Sequence, residues 1–497
     1  MPLTKEQQAI INCEFDEILL INAYAGTGKT TTLVEFCKKR SDKKIIYMAY
    51  NNSMSKEAQI KFKDLHNVSV GTIHSFARKE MQDKITKISN YDRKAKNEQW
   101  IINANTIKSL FLDIQVEFRV YYASLIIKQL KAFSCSNKDL QDYINNLIAI
   151  KSEVEKYNVN YLAKKMIELW REFRENQNIP YEHDFYLKEW QLTKPQLNAD
   201  YILVDEAQDI NDCIIDIILN QKHTKKVFIG DSYQSIYGFR GAKDCLTKLI
   251  DNKNSILLHL TKSFRCPLSV SNLANNYLSL LGAKKDFIGT KRDNNNKETF
   301  KAVISRTNAR LFDYAIEAIK ENKKIAWVGG LQKYNFQELI DIQQLIYKKP
   351  QNIYNNFLNK FNNINELLEY SKEANEPDLK TKLSIVFKYI NKDILSLIKK
   401  IKAMSLANPK NADYVLCTAH KSKGLEWENV VLLDDFINLS KIIPSAKEKN
   451  SLFEIQKEEL NLLYVAITRS KKRIELPNDY ILSKNLILEA KEYIDLI

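Results

Sequence analysis

Long apolar runs are missing from this sequence of 497 residues. No stretch approaches the roughly 18 uninterrupted apolar residues that indicate a membrane-spanning helix. The first ten residues, MPLTKEQQAI, are polar and lack the basic-then-apolar plan of a signal peptide. These two absences argue against a membrane or secreted protein. They predict a cytoplasmic location, with nucleoid association if the source is bacterial.

Cysteine pairs are missing as well. The seven cysteines are scattered along the chain, and none of them belongs to a C-x-x-C pair. This spacing argues against zinc ribbons, iron–sulfur sites and a disulfide framework, and it fits a reducing compartment.

Acidic residues are fewer than basic residues in this sequence. Lys and Arg number 75 against 61 Asp and Glu, which gives a formal net charge of +14. Such a surplus favours an acidic partner, of which nucleic acid is the commonest. An AT-rich genome would also raise the lysine content of a sequence so rich in Lys, Asn and Ile. Charge alone therefore leaves both explanations open.

Short apolar runs typical of buried parallel strands recur along the chain, and helical patterns separate the early ones. They form two sets, and a block with helical periodicity interrupts each set. The pattern predicts an α/β protein with two cores in series, each carrying a helical insertion. The predicted division is a first core at 1–80 and 191–257, its insertion at 81–190, a second core at 258–335 and 410–497, and a smaller insertion at 336–409.

The stretch INAYAGTGKT, which ends at Thr30, lies between an apolar run and a helical pattern. At such a junction, backbone N–H groups and the positive end of the helix dipole converge on an anion. Gly26 and Gly28 let the backbone curl around phosphate oxygens, Lys29 reaches the β and γ phosphates, and the Thr30 hydroxyl can ligate Mg²⁺. Ala23 stands where the usual pattern has its first Gly. The stretch predicts a nucleoside triphosphate site, and the alternative is a turn that only needs glycine.

Two carboxylates, Asp205 and Glu206, follow the apolar run in ILVDEAQD. A triphosphatase needs one carboxylate for Mg²⁺ and a second to polarise the attacking water. In the next signature, IGDSYQSIYGFRGA, Gln234 follows a strand closely enough to sense the γ-phosphate. Tyr237 and Phe239 in the same loop are either core residues or surfaces on which bases stack.

In order and over essentially the whole chain, these motifs resemble those of the UvrD/Rep-type superfamily 1 DNA helicases. The other matching segments are LTKEQQ, GTIHSFA, LTKSFRCP, ISRTNA, CTAHKSKGLEWENVVLLDDF and EELNLLYVAITRSKKRI. HDFYLKEWQLTKPQL and LLDDF are similar in particular to the helicase part of F-box DNA helicases. Because the motifs begin almost at residue 1, we expect no F-box-like region and carry over no ubiquitin-ligase role. The resemblance implies two RecA-like parallel-sheet cores in tandem.

The resemblance also implies roles in an ATP site that is complete only when the two cores close. The catalytic residues would be Lys29, Glu206, Gln234, Arg265 and Arg469. The ligands of Mg²⁺ would be Thr30 and Asp205. The residues in contact with ATP would be Gln7, Ala25, Gly26, Thr27, Gly28, Lys29, Thr30, Thr31, Phe264 and Glu426. Among these, Arg265 and Arg469 resemble arginine fingers that reach the γ-phosphate across the cleft between the cores.

A path for single-stranded DNA across the top of both cores is implied too. The residues in contact with DNA would be Tyr50, Asn51, Thr72, His74, Tyr237 and Phe239 from the first core, with Thr418 and His420 from the second. For His74 and His420 a structural role is the alternative.

The implied activity is that of an ATP-dependent DNA helicase and translocase that moves 3′ to 5′ and acts in DNA repair or recombination. Its cofactors would be ATP and Mg²⁺. Its partners would be single-stranded DNA and single-strand–duplex junctions, together with a protein such as a nuclease. Two alternatives stay open. One is a motor subunit of a nuclease or antiphage complex with little unwinding of its own, and the other is an RNA helicase.

Overall fold

The computed structural model describes residues 2–82, 102, 104–150, 156–175, 182–238, 241, 244–290, 300–355, 357–373, 377–449 and 452–497. Two compact units divide the chain. Unit 1 comprises Met1–Ala23 and Gly28–Leu260, and unit 2 comprises Tyr24–Thr27 and Thr261–Ile497.

Unit 1 contains a sheet of six parallel strands. In chain order these are β1 Ile18–Ala23, β2 Ile45–Ala49, β3 Val68–Thr72, β4 Tyr201–Asp205, β5 Lys225–Gly230 and β6 Ser255–Leu260. Across the sheet their order is β3-β2-β4-β5-β1-β6. Each pair is parallel, so the carboxyl ends of the strands share one edge of the sheet.

Helices of unit 1 connect these strands and form the larger insertion. They are α1 Lys5–Asn12, α2 Lys29–Lys38, α3 Asn52–Lys61, α4 Ile73–Met81, α5 Ala104–Ile107, α6 Val116–Cys135, α7 Leu140–Ile150, α8 Lys156–Glu175, α9 His183–Leu192, α10 Asp212–Leu219 and α11 Cys245–Leu249.

The four inner strands of the unit 1 sheet are buried on both faces almost throughout, which explains why they are apolar without alternation. Successive side chains of a strand point to opposite faces. Leu20 of β1 lies in the same buried cluster as Phe133 and Trp170 from the inserted helices. Its neighbour Leu19 lies in a second cluster that includes Phe36 of α2. The insertion therefore covers one face of the sheet, and α2 helps to cover the other.

Unit 2 contains a second sheet of six parallel strands and two smaller sheets of two strands. In chain order the strands are β7 Lys262–Pro267, β8 Ile288–Thr290, β9 Lys301–Ser305, β10 Ile325–Trp327, β11 Ser405–Leu406, β12 Tyr414–Thr418, β13 Trp427–Leu432, β14 Phe453–Ile455, β15 Ser470–Glu475 and β16 Ile494–Leu496. The order of the large sheet is β11-β10-β12-β9-β13-β15, and β7 pairs with β8 and β14 with β16.

Helices of unit 2 flank this sheet. They are α12 Leu268–Leu280, α13 Asn308–Lys320, α14 Gln337–Ile346, α15 Ile364–Glu373, α16 Pro377–Lys388, α17 Ile394–Met404, α18 Ala419–Ser422, α19 Leu439–Lys449, α20 Lys457–Ile467 and α21 Lys484–Tyr493.

The helices from α14 to α17 form the smaller insertion and share a core with the sheet. Leu416 of β12 and Phe312 of α13 lie in one buried cluster with Leu339, Val386 and Ile401 of the insertion. The predicted fold, two RecA-like parallel-sheet cores in tandem with a helical insertion in each, is confirmed. The residue bounds of the four-part division stay a prediction. In the described residues, no helix is both long and apolar enough to cross a membrane.

Candidate functional site

The N-terminus of α2 lies at the carboxyl edge of the first sheet. Gly28 precedes this helix with a left-handed backbone, φ +82°, which glycine adopts without steric cost. No side chain caps this helix in the described structure. The N–H groups of its first turn therefore suit an anionic ligand. Thr30 is half-buried and Thr31 is exposed in this turn, and their contacts with Mg²⁺ and ATP stay predictions.

The first residues of the phosphate loop, Tyr24–Thr27, belong to unit 2. The Ser263 hydroxyl donates to the Ala25 carbonyl at 2.8 Å, and the Phe264 amide donates to the Gly26 carbonyl at 2.7 Å. A Cβ on Gly26 would lie 2.3 Å from the Cβ of Arg265, and its φ is +70°. Glycine is therefore required at position 26 by close packing as well as by backbone conformation.

Lys29, the first residue of α2, meets the carboxylate of Glu206 at 3.0 Å. Burial alone would lower the pKa of the Lys29 ammonium. The carboxylates of Glu206, Asp205 and Asp231 outweigh that effect, so this pKa lies above its ordinary value. The structure thus brings together the lysine and the two carboxylates that the sequence placed on separate elements.

Asp205 ends β4 with its carboxylate held by two donors. The Tyr47 hydroxyl donates to one carboxylate oxygen at 2.5 Å, and the Glu206 amide donates to the other at 2.9 Å. Burial raises the pKa of Asp205, and the charge of Glu206 raises it further. Lys29 and the bond from Tyr47 act in the opposite direction, and the net pKa lies above its ordinary value.

Gln208 is a residue of this site that sequence reasoning missed. Its amide nitrogen donates to Glu206 at 2.6 Å, and its carbonyl oxygen accepts from the Asp231 amide at 3.1 Å. A Cβ on Gly230 would lie 2.2 Å from that oxygen, so only glycine leaves room for the bond. Gln208 therefore links the carboxylates to the loop that follows β5.

Asp231 was missed too, although it is fully buried in this loop. Its carboxylate accepts from the Gln234 side chain at 2.8 Å and from the Tyr233 amide at 3.1 Å. Gln234 is thus held by the same acidic cluster that holds Lys29. Its role as a sensor of the γ-phosphate stays a prediction. The signal for Asp231 was its position directly after an apolar strand, the same signal that marked Asp205.

The donors in this cluster fit ATP and Mg²⁺. Three carboxylates and one ammonium give an excess of negative charge, which a divalent cation would neutralise. Within the described part of the chain, no group of three or more His, Cys, Asp or Glu could hold a metal alone. Mg²⁺ usually takes one or two carboxylates together with substrate phosphates and water. This number of protein ligands matches the predicted pair of Asp205 and Thr30, whose contact with Mg²⁺ stays a prediction.

Gln7 on α1 already has structural partners. Its side chain accepts from the Thr4 amide at 2.9 Å, which completes a capping box, and donates to Thr32 at 3.1 Å. Thr32 in turn donates to the Gly28 carbonyl at 3.0 Å. Gln7 therefore fixes α1 against α2, and its contact with adenine stays a prediction.

Basic residues form a second cluster, in unit 2. Arg265 donates to Glu426 at 2.6 Å, and Lys471 lies 3.7 Å from the same carboxylate. Burial would raise the pKa of Glu426, but these cations outweigh it and lower the pKa. Arg469 is only 1% exposed, and its guanidinium donates to the carbonyls of Val465 and Leu425 at 2.8 and 3.2 Å.

Other residues predicted in unit 2 are placed as follows. Phe264 is half-buried on β7, next to Arg265. Thr418 ends β12 and is 7% exposed, and His420 is half-buried on α18. Their contacts with adenine and DNA stay predictions.

Aromatic rings meet at the carboxyl edge of the first sheet. The rings of Tyr50, after β2, and Tyr237, after β5, are parallel within 8° with centroids 6.1 Å apart. Phe239 lies outside the described residues. The structure therefore brings together two of the predicted stacking residues from distant parts of the sequence.

A cavity of about 340 Å³ adjoins this pair. Tyr50, Asn51, His74 and Asp184 line it, and it extends to Asp205. Three of the predicted DNA contacts of unit 1, Tyr50, Asn51 and His74, thus share a cavity with the predicted metal ligand Asp205. Asn51 also has a structural role, since its side chain caps α3 by accepting from an amide at 2.9 Å. Thr72 caps α4 in the same way at 3.2 Å.

His74 at the start of α4 has a partner in the larger insertion. Its Nε2 lies 3.0 Å from the Asp184 carboxylate, at the start of α9. Burial would raise the pKa of Asp184, but the hydrogen bond and charge of His74 lower it below its ordinary value. This pairing supplies the structural role that was the alternative for His74, and it leaves DNA contact a prediction.

Comparisons with known proteins agree with the motifs. A family model described as the UvrD/REP helicase N-terminal domain matches residues 3–255. F-box DNA helicase protein 1 of Schizosaccharomyces pombe is 33% identical, with 96% of this chain and 58% of that protein covered. F-box DNA helicase 1 of Gallus gallus is 27% identical, with 95% and 48% covered. DNA helicase II of Rickettsia typhi is 26% identical, with 52% and 42% covered. The chain spans about half the length of these relatives.

Proposed function

Because the chain belongs to the UvrD/Rep helicase family, we propose that it is an ATP-dependent DNA helicase that moves 3′ to 5′ on single-stranded DNA. The observation that carries this proposal is the cluster of buried Asp205 and half-buried Lys29 and Glu206 beside the N-terminus of α2. The net charge of +14 favours the polyanionic partner. A role in DNA repair or recombination is part of the proposal.

In the proposed mechanism, each residue of the acidic cluster has a separate task. Lys29 and the first amides of α2 hold the phosphates. Asp205 and Thr30 hold Mg²⁺, which when bound supplies positive charge to the transferring phosphoryl group. Glu206 accepts a proton from the attacking water, and the bond from Gln208 fixes the direction of its carboxylate.

Arg265 and Arg469 of unit 2 are the proposed source of additional positive charge. Such arginines stabilise the charge that develops on the γ-phosphate, and a single one contributes about 10³ to 10⁵ in rate. Arg265 would have to exchange its partner Glu426 for phosphate oxygens. Its side chain is 21% exposed, which leaves it more accessible than Arg469.

Tyr50 and Tyr237 are the proposed platform for DNA bases. Stacking on an aromatic ring contributes about 1–3 kcal/mol per base and tolerates any sequence. The two parallel rings offer faces of the right orientation at the edge where β2 and β5 end. Asn51, Thr72, His74, Phe239, Thr418 and His420 complete the proposed set.

The proposal is tested by ATP hydrolysis and strand displacement on tailed duplexes. Wild-type protein should hydrolyse ATP faster with oligo(dT), and Lys29→Ala should abolish this activity. Lys38→Ala, at the other end of α2 in an exposed ion pair, is the control. A duplex with a 3′ tail should be unwound and one with a 5′ tail should not. Absence of DNA-stimulated hydrolysis would refute the proposal, and hydrolysis without unwinding would favour a motor subunit.

A further inference from the structure

Tyr47 is a polar residue in an otherwise aliphatic strand, IIYMA. It pairs with Leu203 of β4, two positions before Asp205. Because side chains alternate between faces, Tyr47, Leu203 and Asp205 lie on the same face of the sheet. The Tyr47 ring can therefore reach diagonally to the end of β4.

The hydroxyl of Tyr47 has a fixed direction. Tyr47 is 1% exposed, and its ring packs against Phe62 with centroids 4.8 Å apart. Phe62 is itself buried, so the ring is confined. The hydroxyl donates to the Asp205 carboxylate at 2.5 Å inside the core. One oxygen of the proposed metal ligand is thus held by a group on a neighbouring strand.

The same strand leads to the proposed DNA platform. Tyr50 follows β2 directly, and its ring lies parallel to that of Tyr237. β2 is hydrogen-bonded to β3 on one side and to β4 on the other, which makes it a stiff connection. Only two residues, Met48 and Ala49, therefore separate a contact with the proposed metal ligand from a ring that would meet DNA.

We propose that Tyr47 is a positioning residue that couples DNA binding to the nucleotide site. A base that displaces Tyr50 shifts the end of β2, and the Tyr47 hydroxyl passes that shift to Asp205. This inference rests on the proposed function, since it assumes that ATP·Mg²⁺ and DNA bind at these places. Coupling of this kind is reciprocal, so each ligand changes the affinity for the other by the same factor.

The test compares Tyr47→Phe with a matched control. Tyr389 of unit 2 also donates to a buried carboxylate, Asp313, at 2.7 Å and is 3% exposed. Tyr389→Phe therefore removes the same kind of bond away from the site. For each protein the Kd of a fluorescent ATP analogue with Mg²⁺ is measured with and without saturating oligo(dT). The ratio of the two Kd values is the coupling factor, and thermal melting reports stability.

We expect a wild-type coupling factor of about 5 to 150. Tyr47→Phe should bring it within about twofold of 1, whereas Tyr389→Phe should leave it unchanged even if both variants melt earlier. A loss of stability alone would not change this ratio in folded protein. In the double variant, adding Tyr47→Phe to Tyr50→Ala should not change the coupling factor further, because the connection through Tyr50 is already lost.

A wild-type coupling factor in Tyr47→Phe would overturn the inference. If the Kd of the ATP analogue is then weakened equally with and without DNA, the hydroxyl has only a local role at Asp205. If the wild-type protein binds neither the ATP analogue nor oligo(dT), the proposed function itself is wrong. If the wild-type protein binds both ligands with coupling and Tyr47→Phe shows the same coupling factor, only the inference about Tyr47 is wrong.

Discussion

The charged cluster of unit 1 and that of unit 2 are opposite in sign. In unit 1 several carboxylates surround Lys29, and in unit 2 several cations surround Glu426. The minority group of each cluster is held in its charged form: the pKa of Lys29 is raised and that of Glu426 is lowered. Burying charges of one sign without a partner is costly. Each cluster thus contains one group of opposite charge that partly neutralises it.

The two clusters also differ in how their residues are held. In unit 1, side chains such as Tyr47 and Gln208 hold the carboxylates. In unit 2, backbone carbonyls hold the guanidinium of Arg469, whereas a carboxylate holds Arg265. Arg265 can therefore change partner without exposing orphaned backbone groups, and Arg469 cannot. This difference predicts that Arg469 stabilises the fold more than Arg265 does, and the catalytic roles of both arginines stay predictions.

The largest expected effect is that of removing Arg265. Arg265→Ala should lower the turnover of ATP by about 10³-fold or more with little change in ATP affinity. Its melting temperature should stay close to wild type, whereas Arg469→Ala should also melt earlier because it leaves carbonyls unsatisfied. Steady-state kinetics and thermal melting check this, with Arg473→Ala as the exposed control. Normal turnover in Arg265→Ala would remove Arg265 from the catalytic site, and normal turnover in Arg469→Ala would remove Arg469.

A somewhat smaller loss is expected on the acidic side. Glu206→Gln should reduce turnover by about 10² to 10⁴ because the proton acceptor is lost. ATP binding should persist, since Asp205 and Lys29 remain. Filter binding of ATP and single-turnover hydrolysis check this, with Glu35→Gln as the control on α2. Equal loss of binding and hydrolysis would show that Glu206 serves only to hold Lys29.

The next largest effect is expected for DNA affinity, where the proposed contact is an aromatic ring and not a charged group. Tyr237→Ala should weaken oligo(dT) binding by about 5- to 150-fold, the contribution of one stacked base. Basal ATP hydrolysis should remain. Fluorescence anisotropy measures the affinity, and Tyr354→Ala, with a ring 79% exposed in unit 2, is the control. If Tyr237→Ala binds DNA normally but melts earlier, the ring is a core residue.

The smallest effect concerns the pair of Asp184 and His74. The pKa of Asp184 is lower in the folded protein than in the unfolded chain, so its contribution to stability is present above the unfolded value, about 3.9. That contribution disappears as the pH falls through the folded pKa. Asp184→Asn should therefore melt earlier than wild type at pH 7, with a difference that shrinks as the pH falls below about 3.9. Thermal melting at several pH values, with exposed Asp251→Asn as the control, checks this. A constant difference would exclude titration of Asp184 as its cause.

The sequence could predict those site residues whose position next to a strand end or a helix start can be recognised from the neighbouring residues. Lys29, Asp205 and Glu206 were predictable because each follows an apolar strand or opens a helix, and parallel strands bring such positions to one edge. Tyr47 and Gln208 were not, since their roles depend on the strand register and on a close approach across the sheet. The helix-capping roles of Gln7, Asn51 and Thr72 were not predicted either, because the resemblance implied only contacts with ATP or DNA for these residues. The sequence signal for Tyr47 was the presence of a polar hydroxyl group inside the otherwise apolar run IIYMA.

The absence of a side chain at Gly230 has an evolutionary consequence. The Gln208 carbonyl oxygen occupies the space that a Cβ on Gly230 would need. A mutation of this glycine would displace the glutamine side chain, and the new Cβ would also lie 3.0 Å from the Ala207 amide nitrogen. A shorter residue in place of the glutamine would remove the first clash but not the second. We therefore expect descendants of this gene to keep Gly230 longer than they keep Gln208.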